Sequence, residues 1–412
     1  MSDEVLAAVA QAHRSEWAQV LATTAQLIRD LDLAEECTQD AFVQALEVWP
    51  RTGIPRQPGA WLTTTARNRA RDLLRRDSVA RRALPLLVPP ATVTGPENER
   101  DDDRLRLIFT CSHPALAPDA RAALTLRLVC GLSTAEVARA FLVQEPTMAA
   151  RITRAKKKIS VAQIPYRVPS PEQLGDRVRV VLDVVHLIFS TGHTAPIGAE
   201  LVRQDLIDSA IDLARLLHFL MPTDAEVSAL LALFLLVDAR RDARMSESGS
   251  LVLLPDQDRS RWDADMIGEG TALLTDALRR RPPTRYAIEA ALAAVHAEAP
   301  SWHDTDWSEI VSLYDVLLRL WPNPVVELNR AVAIGERDGP EAGLVALRPL
   351  LSEPALATYG YLSAARAEFL RRLHRWDESA EAYEEALALT DNGVERTFLT
   401  GRLDDVRKRS AP

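Results

Sequence analysis

The sequence predicts an all-α protein, built as two small helical domains, the second a helix-turn-helix, followed by a large, repeat-like helical domain. Apolar residues recur at the 3.6-residue spacing along most of the chain, in Asp176 to Phe189, Arg203 to Leu220, Asp224 to Arg244, Trp262 to Arg279, Thr284 to Glu298 and Ser308 to Leu320. Two further apolar helices precede these, and a helix-turn-helix pattern runs from Asp119 to Ile159. Charge marks the division: the 412-residue chain carries a net −9, with residues 1 to 165 at +3 and residues 166 to 412 at −12. A basic front suits a polyanion, and an acidic body avoids one.

The first predicted helix, between Ile28 and Trp49, sets Asp30, Asp32, Glu35, Glu36, Asp40 and Glu47 against the single Arg29, around an apolar side of Leu33, Ala34, Cys37, Ala41, Phe42, Ala45 and Leu46. Such a face repels DNA and suits a basic protein surface, although many acidic helix faces are simply solvated. The charge then reverses. From Arg51 to Arg82 nine arginines meet only Asp72 and Asp77. A helix opening at Pro58-Gly59 and running to Arg76 buries Trp61, Leu62, Ala66, Ala70, Leu73 and Leu74, leaving Arg67, Asn68, Arg71 and Arg75 on its polar side. Guanidinium forks match phosphates and guanine edges, and an asparagine amide pairs bidentately with adenine.

Leu84 to Asp103 lacks a helical period, contains Pro85, Pro89, Pro90 and Pro96, and ends in Glu97, Glu99, Asp101, Asp102 and Asp103. An extended linker is expected, its acids either solvated or mimicking nucleic acid. The helix-turn-helix follows. Ala122, Ala123, Leu126 and Val129 stripe its first helix, Gly131 breaks it, and Ser133-Thr134-Ala135-Glu136 has the capping-box spacing at the start of the second, which buries Val137, Ala138 and Phe141. Pro146 fits the first turn of the next helix, where its missing amide hydrogen costs little. Met148, Ile152 and Ile159 face inward there, leaving Thr147, Ala150, Arg151 and Arg154 for a major groove. Of the four lysines in the chain, Lys156, Lys157 and Lys158 stand together at the end of this helix, with no acid from Thr147 onward to offset them.

In the rear body, Val325 to Leu350 and Leu362 to Leu389 read as repeated helix pairs, with Ser379, Tyr383 and Ala386 where a tetratricopeptide repeat places a small, an aromatic and a small residue. Stacked repeats expose a concave surface suited to a partner. One segment departs from helical spacing: Leu251 to Pro255 is extended and apolar, and Asp256, Gln257, Asp258, Arg259, Arg261, Trp262 and Asp263 form a dense polar cluster. Its carboxylates suit a hydrolytic or metal site, but the adjacent arginines and the helix start near Trp262 favour ion pairs and a cap. Cys37, Cys111 and Cys130 are too scattered for a disulfide framework, and Cys111 with His113 lacks two further zinc ligands. No glycine-rich phosphate loop and no HExxH pair occurs. No catalytic residue, metal or cofactor is expected, and no run of 18 uncharged apolar residues or signal peptide is found, which predicts a cytoplasmic protein without membrane contact.

The run Asp32-Leu-Ala-Glu35-Glu36-Cys-Thr-Gln39-Asp40-Ala-Phe42, the helix from Pro58-Gly-Ala-Trp61-Leu62 through Thr65-Ala-Arg67-Asn68 to Asp72-Leu-Leu-Arg75-Arg76, and Leu124 through Ile159 resemble, in order and spacing, the extracytoplasmic-function sigma factors of bacterial RNA polymerase. Ile188 to His193, Asp256 to Trp262, Thr305-Asp306-Trp307, Asn329 to Ala333 and Glu395 to Leu399 resemble signatures of the subfamily with a long C-terminal extension. The resemblance implies that Asp32, Glu35, Glu36, Gln39 and Asp40 dock on the clamp helices of the polymerase β′ subunit. By the same resemblance Trp61, Arg67, Asn68, Arg71, Arg75 and Arg76 engage the −10 promoter element, and Thr147, Arg151, Arg154 and Lys156 to Lys158 the −35 element. Leu142 and Gln144 depart from the glycine and small polar residue usual in the recognition turn. The implied domains are residues 1–83, a linker 84–103, the helix-turn-helix 104–164, a helical extension 165–300 and repeats 301–412. Core polymerase, promoter DNA and a regulatory protein on the extension are the expected partners. Two other readings are a helix-turn-helix regulator with a ligand-sensing body and a repeat scaffold that binds DNA incidentally. The acidic Asp32 to Phe42 helix separates the sigma-factor reading from the regulator, which has no need to dock on polymerase.

Overall fold

A computed structural model describes residues 3–82, 103–141, 143–193, 197–198, 202–246, 250–280 and 282–410. The chain forms two compact units, Met1–Ile188 and Phe189–Pro412.

The first unit begins with three mutually packed helices, α1 (Asp3–Ile28), α2 (Leu31–Thr52) and α3 (Pro58–Arg82). Their shared core takes Trp17, Leu21, Ala25, Cys37, Ala41, Phe42, Trp49, Leu62, Ala66 and Ala70. Asp30 starts α2: its side chain accepts from the amides of Asp32 and Leu33 at 2.9 and 3.0 Å, satisfying donors that a helix start leaves orphaned. Gly53 ends it at φ 83°, a conformation glycine adopts without a Cβ penalty. Next come α4 (Asp103–Cys111), which packs on α1, then α5 (Pro118–Leu124), a π turn Thr125–Val129, α6 (Thr134–Ala140), α7 (Glu145–Val161) and α8 (Pro171–His193). The linker from Leu84 to Asp102 lies outside the described residues, as does Leu142 of the recognition turn, whereas Asp103 opens α4 and pairs with Arg106 at 2.6 Å.

The capping box is formed, with the Ser133 amide donating to Glu136 Oε2 at 2.7 Å and the Glu136 amide to Ser133 Oγ at 3.2 Å. Gln144 precedes α7 without a side-chain cap, and Pro146 occupies its first turn. Gly131 does more than break a helix. At φ 75° it turns the chain against α1, and a Cβ there would stand 3.0 Å from the Trp17 ring. Trp17 Nε1 donates to the Leu128 carbonyl at 3.1 Å. The three-helix bundle and the helix-turn-helix are thus packed on each other within one unit.

In the second unit α10 (Ala225–Asp238) is apolar on all sides and lies against α9 (Gln204–Leu220), α11 (Ala264–Arg280) and α12 (Arg285–Glu298), as a helix without a polar face must. The sequence predicts that this helix continues to Arg244, but it stops at Asp238. That side chain is buried and takes Arg241 of a following 3-10 turn, and Val252 N then donates to Arg244 O at 2.9 Å. The chain continues through α13 (Trp307–Leu320), α14 (Pro324–Asp338), α15 (Pro340–Leu347), α16 (Gly360–Arg372), α17 (Trp376–Ala388) and α18 (Gly393–Ser410), each packed on the next. Ser379, Tyr383 and Ala386 are buried; Ser379 Oγ donates to the Ala367 carbonyl at 2.8 Å, and Tyr383 OH to Glu368 at 3.0 Å. Gly335 and Gly343 both lie on the Phe369 ring, where a Cβ would overlap it. A two-residue parallel ladder, β1 (Ile197–Gly198) with β2 (Asp391–Asn392), is too short to leave any periodicity in the sequence.

Candidate nucleic-acid interface

On α7 the inward residues Met148, Ile152 and Ile159 are buried, and Thr147, Ala150, Arg154, Lys157 and Lys158 are exposed. Arg151 is half-buried, its guanidinium 5.8 Å from the Phe141 ring and 3.6 Å from Asp119. The outer face that the helix-turn-helix pattern predicts is thus exposed at Thr147, Ala150 and Arg154 and half-buried at Arg151. Lys156 is buried, and its ammonium donates to Glu35 Oε2 at 2.5 Å and to Asp32 Oδ1 at 2.8 Å. Burial alone would lower its pKa, but the carboxylates of Glu35 and Asp32 outweigh that and hold it above the ordinary lysine value.

On α3 the −10 candidates are arranged along the polar side. Asn68, Arg71 and Arg75 are exposed, Trp61 and Arg67 half-buried; the side chain of Arg76 lies outside the described residues. Trp61 sits edge-on to Trp49, ring centroids 5.6 Å apart, so the core fixes one face of its indole. Asn68 Oδ1 accepts from Arg71 at 3.4 Å, and Arg75 lies 3.6 Å from Asp72. Such exposed pairs are weak and yield readily to a phosphate or base.

The acidic helix divides in two. Asp32, Glu36 and Gln39 are exposed and Asp40 is half-buried, bonded by Arg69 at 2.9 Å. Glu35, expected on the same docking face, is instead buried: it takes Lys156, the guanidinium of Arg127 and, at 3.2 Å, the Gln39 amide. The spacing of charges on α2 distinguishes an acid facing solvent from one facing the next domain only when that domain's position is known. Arg127, absent from the predicted site, had one signal in the sequence, a charge set within the apolar stripe of Leu126, Leu128 and Val129.

Residues 14–79 match the family Sigma-70 region 2, and residues 106–159 the family Sigma-70, region 4. The two matches fall on the α1–α3 bundle and on the helix-turn-helix. The chain is an RNA polymerase sigma factor. Residues 177–278 match a family of unknown function, DUF6596, so the factor carries a long C-terminal extension of the extracytoplasmic-function-like kind. An uncharacterized protein of Rhizobium meliloti (strain 1021) is 42% identical over 406 residues, covering 95% of this chain and 94% of its own.

In the extension of this sigma factor the polar cluster forms caps, and among the described residues it forms none of the expected ion pairs. Asp258 accepts from Ser260 N at 3.0 Å, and Asp263 from Met266 N at 2.9 Å at the start of α11. Asp256 is exposed, and Gln257 donates to the Val252 carbonyl at 3.1 Å. Arg259 bonds carbonyls, those of His296 and Ala299, and lies 4.6 Å from the ring of buried Trp262; among the described residues it has no carboxylate within 4 Å. The described residues contain no group of three metal-ligating side chains and no helix long and apolar enough to cross a membrane.

Proposed function

We propose that this sigma factor works in the cytoplasm without catalysing a reaction, docking the exposed part of α2 on the β′ clamp helices, engaging the −10 element with α3 and reading the −35 element with α7. The exposure of Thr147, Arg154, Lys157 and Lys158 along one face of a formed helix-turn-helix carries the promoter-reading role. Lys156 is left out of that role, because its ammonium is buried and already bonded to Glu35 and Asp32. In the docking role Asp32, Glu36, Gln39 and Asp40 form the polymerase face, with Glu35 behind it.

Arg154→Ala is expected to weaken promoter binding by about 1–3 kcal/mol and to relax preference at one −35 position, as loss of a base contact does. Lys157→Ala with Lys158→Ala weakens all sequences alike and lowers the salt slope by about two, one per phosphate contact. Selection on randomised −35 sequences, with binding read across salt, checks both; the same sequence preference from both variants refutes the division.

The docking assignment is tested by Glu36→Lys. Glu36 has no ion pair with the rest of the described chain, whereas reversing Asp40 would also break its bond to Arg69. A reversed rim charge should weaken core-polymerase binding by about 1–2 kcal/mol, roughly five- to thirtyfold, with the fold unchanged. Unchanged affinity removes α2 from the polymerase interface.

A further inference from the structure

The second unit collects cations that have no matching acids among the described residues. Arg240 lies within the fields of Arg244 and Arg259, at the turn where α10 ends and against the segment preceding α11. None of the three guanidiniums has a carboxylate within 4 Å among the described residues. The nearby acids are otherwise engaged: Asp238 holds Arg241, and Glu395 takes the Tyr361 hydroxyl, while Asp304 influences Arg259 only from beyond ion-pair range. Around this cluster, buried donor-capable atoms have no partner, namely Arg240 Nε, Arg259 Nη2, Trp262 Nε1, His193 Nε2 and His296 Nδ1. Buried polar groups are ordinarily hydrogen-bonded, so several unfilled ones in one place call for an explanation.

The arginines are held in position by bonds that leave their charge unneutralised. Arg259 Nη1 donates to the carbonyls of His296 and Ala299, the latter at 2.5 Å, and Arg244 Nη1 donates to the His193 carbonyl at 2.9 Å. Arg240 and Arg259 are only half-buried and are therefore reachable from solvent. Burial, then the charges of Arg244 and Arg259, push the Arg240 guanidinium down to about 10; burial, then Arg240 and Arg259, push His296 down to about 4. Both directions reflect burial first and the neighbouring unneutralised guanidiniums second.

We propose that Arg240, Arg244 and Arg259, with Trp262 and His296 beside them, form a binding site for a phosphate-type oxyanion carried by a small molecule. Three guanidiniums match a dianion better than a single carboxylate, and their N–H groups together with the indole N–H suit the acceptor-rich tetrahedral group. The polar segment Asp256 to Asp263 acquires a task from this, since Asp258 and Asp263 cap its turns while Arg259 and Trp262 are delivered to the site.

The test uses the full chain and inorganic phosphate, with thermal unfolding and calorimetry as readouts and potassium chloride at matched ionic strength as control. Phosphate should raise the unfolding temperature of the second unit in a saturable way, more than chloride or acetate does. Arg240→Met should weaken phosphate binding on the order of tenfold to a hundredfold, the loss expected for a charged hydrogen-bonding group. Without phosphate this variant should unfold at the same temperature or higher, because an uncompensated cation has gone; an arginine that only braced the fold would give a lower temperature. If Arg240→Met does not fold, Arg240→Lys keeps the charge and loses the fork, and weakening is again expected. The proposal is overturned if phosphate acts no differently from chloride, if acetate matches it, or if the Arg240 variant binds phosphate as the parent does, which would place the anion on the DNA-facing arginines and lysines of the first unit.

Discussion

Glu35→Ala should cost the first unit about 3–5 kcal/mol, the usual penalty for removing one partner from a buried ion pair. Glu35 is nearly enclosed and holds Lys156 of α7 and Arg127 of the π turn together. Its removal leaves buried Lys156 and half-buried Arg127 without their shared carboxylate, with only exposed Asp32 still bonded to the lysine and the Leu132 carbonyl to the arginine. Because the three residues come from the bundle and from the helix-turn-helix, the loss falls on the joint between them. Urea unfolding followed by the fluorescence of Trp17, which lies in that joint, should show a lower midpoint. Adding Lys156→Met to Glu35→Ala should recover part of the loss, since one stranded cation is replaced by an apolar chain of similar length. A midpoint unchanged in Glu35→Ala would mean the triad is not a structural tie.

Truncation after Ile164 should abolish initiation, and the structure supplies the cause. The cut removes Tyr166, whose hydroxyl donates to the Ala22 carbonyl of α1 at 2.9 Å, and Arg177, which donates to the Phe109 carbonyl of α4 at 2.6 Å. At about 0.5–1.5 kcal/mol for the neutral bond and about 1.5–3 for the charged one, the loss is a large share of a typical domain's 5–15 kcal/mol. The first unit runs to Ile188, so a cut at Ile164 takes part of the DNA-binding unit with the extension. Thermal unfolding of the truncated protein, compared with the full chain, checks this. A truncated form that is as stable and initiates as well would show that residues beyond Ile164 are dispensable to both.

Much of this was legible in the sequence because the signals are local. The capping box at Ser133 and Glu136, Pro146 in the first turn of α7, the apolar stripe of α3 and the small residues at Ser379 and Ala386 each depend on neighbours three or four positions away, and each is formed as read except at Leu74, which α3 leaves exposed. What the sequence concealed depends on contacts between residues far beyond helical spacing. Glu35 and Lys156 look like members of two separate charged faces, and only the fold of the first unit brings them together as one pair. Arg240 and Arg244 look like the basic end of a long helix. They come near Arg259 because α10 stops at buried Asp238 and the following segment folds back, an event with no periodic trace.

The central claim, that this chain directs polymerase to promoters, is tested most directly by transcription reconstituted from core polymerase, the full-length protein and a library of promoter-length DNA. Transcripts with defined starts are expected that depend on the added protein, share a −10 and a −35 sequence, and fall with Glu36→Lys and with Arg154→Ala. DNA binding without any initiation by core polymerase would contradict it.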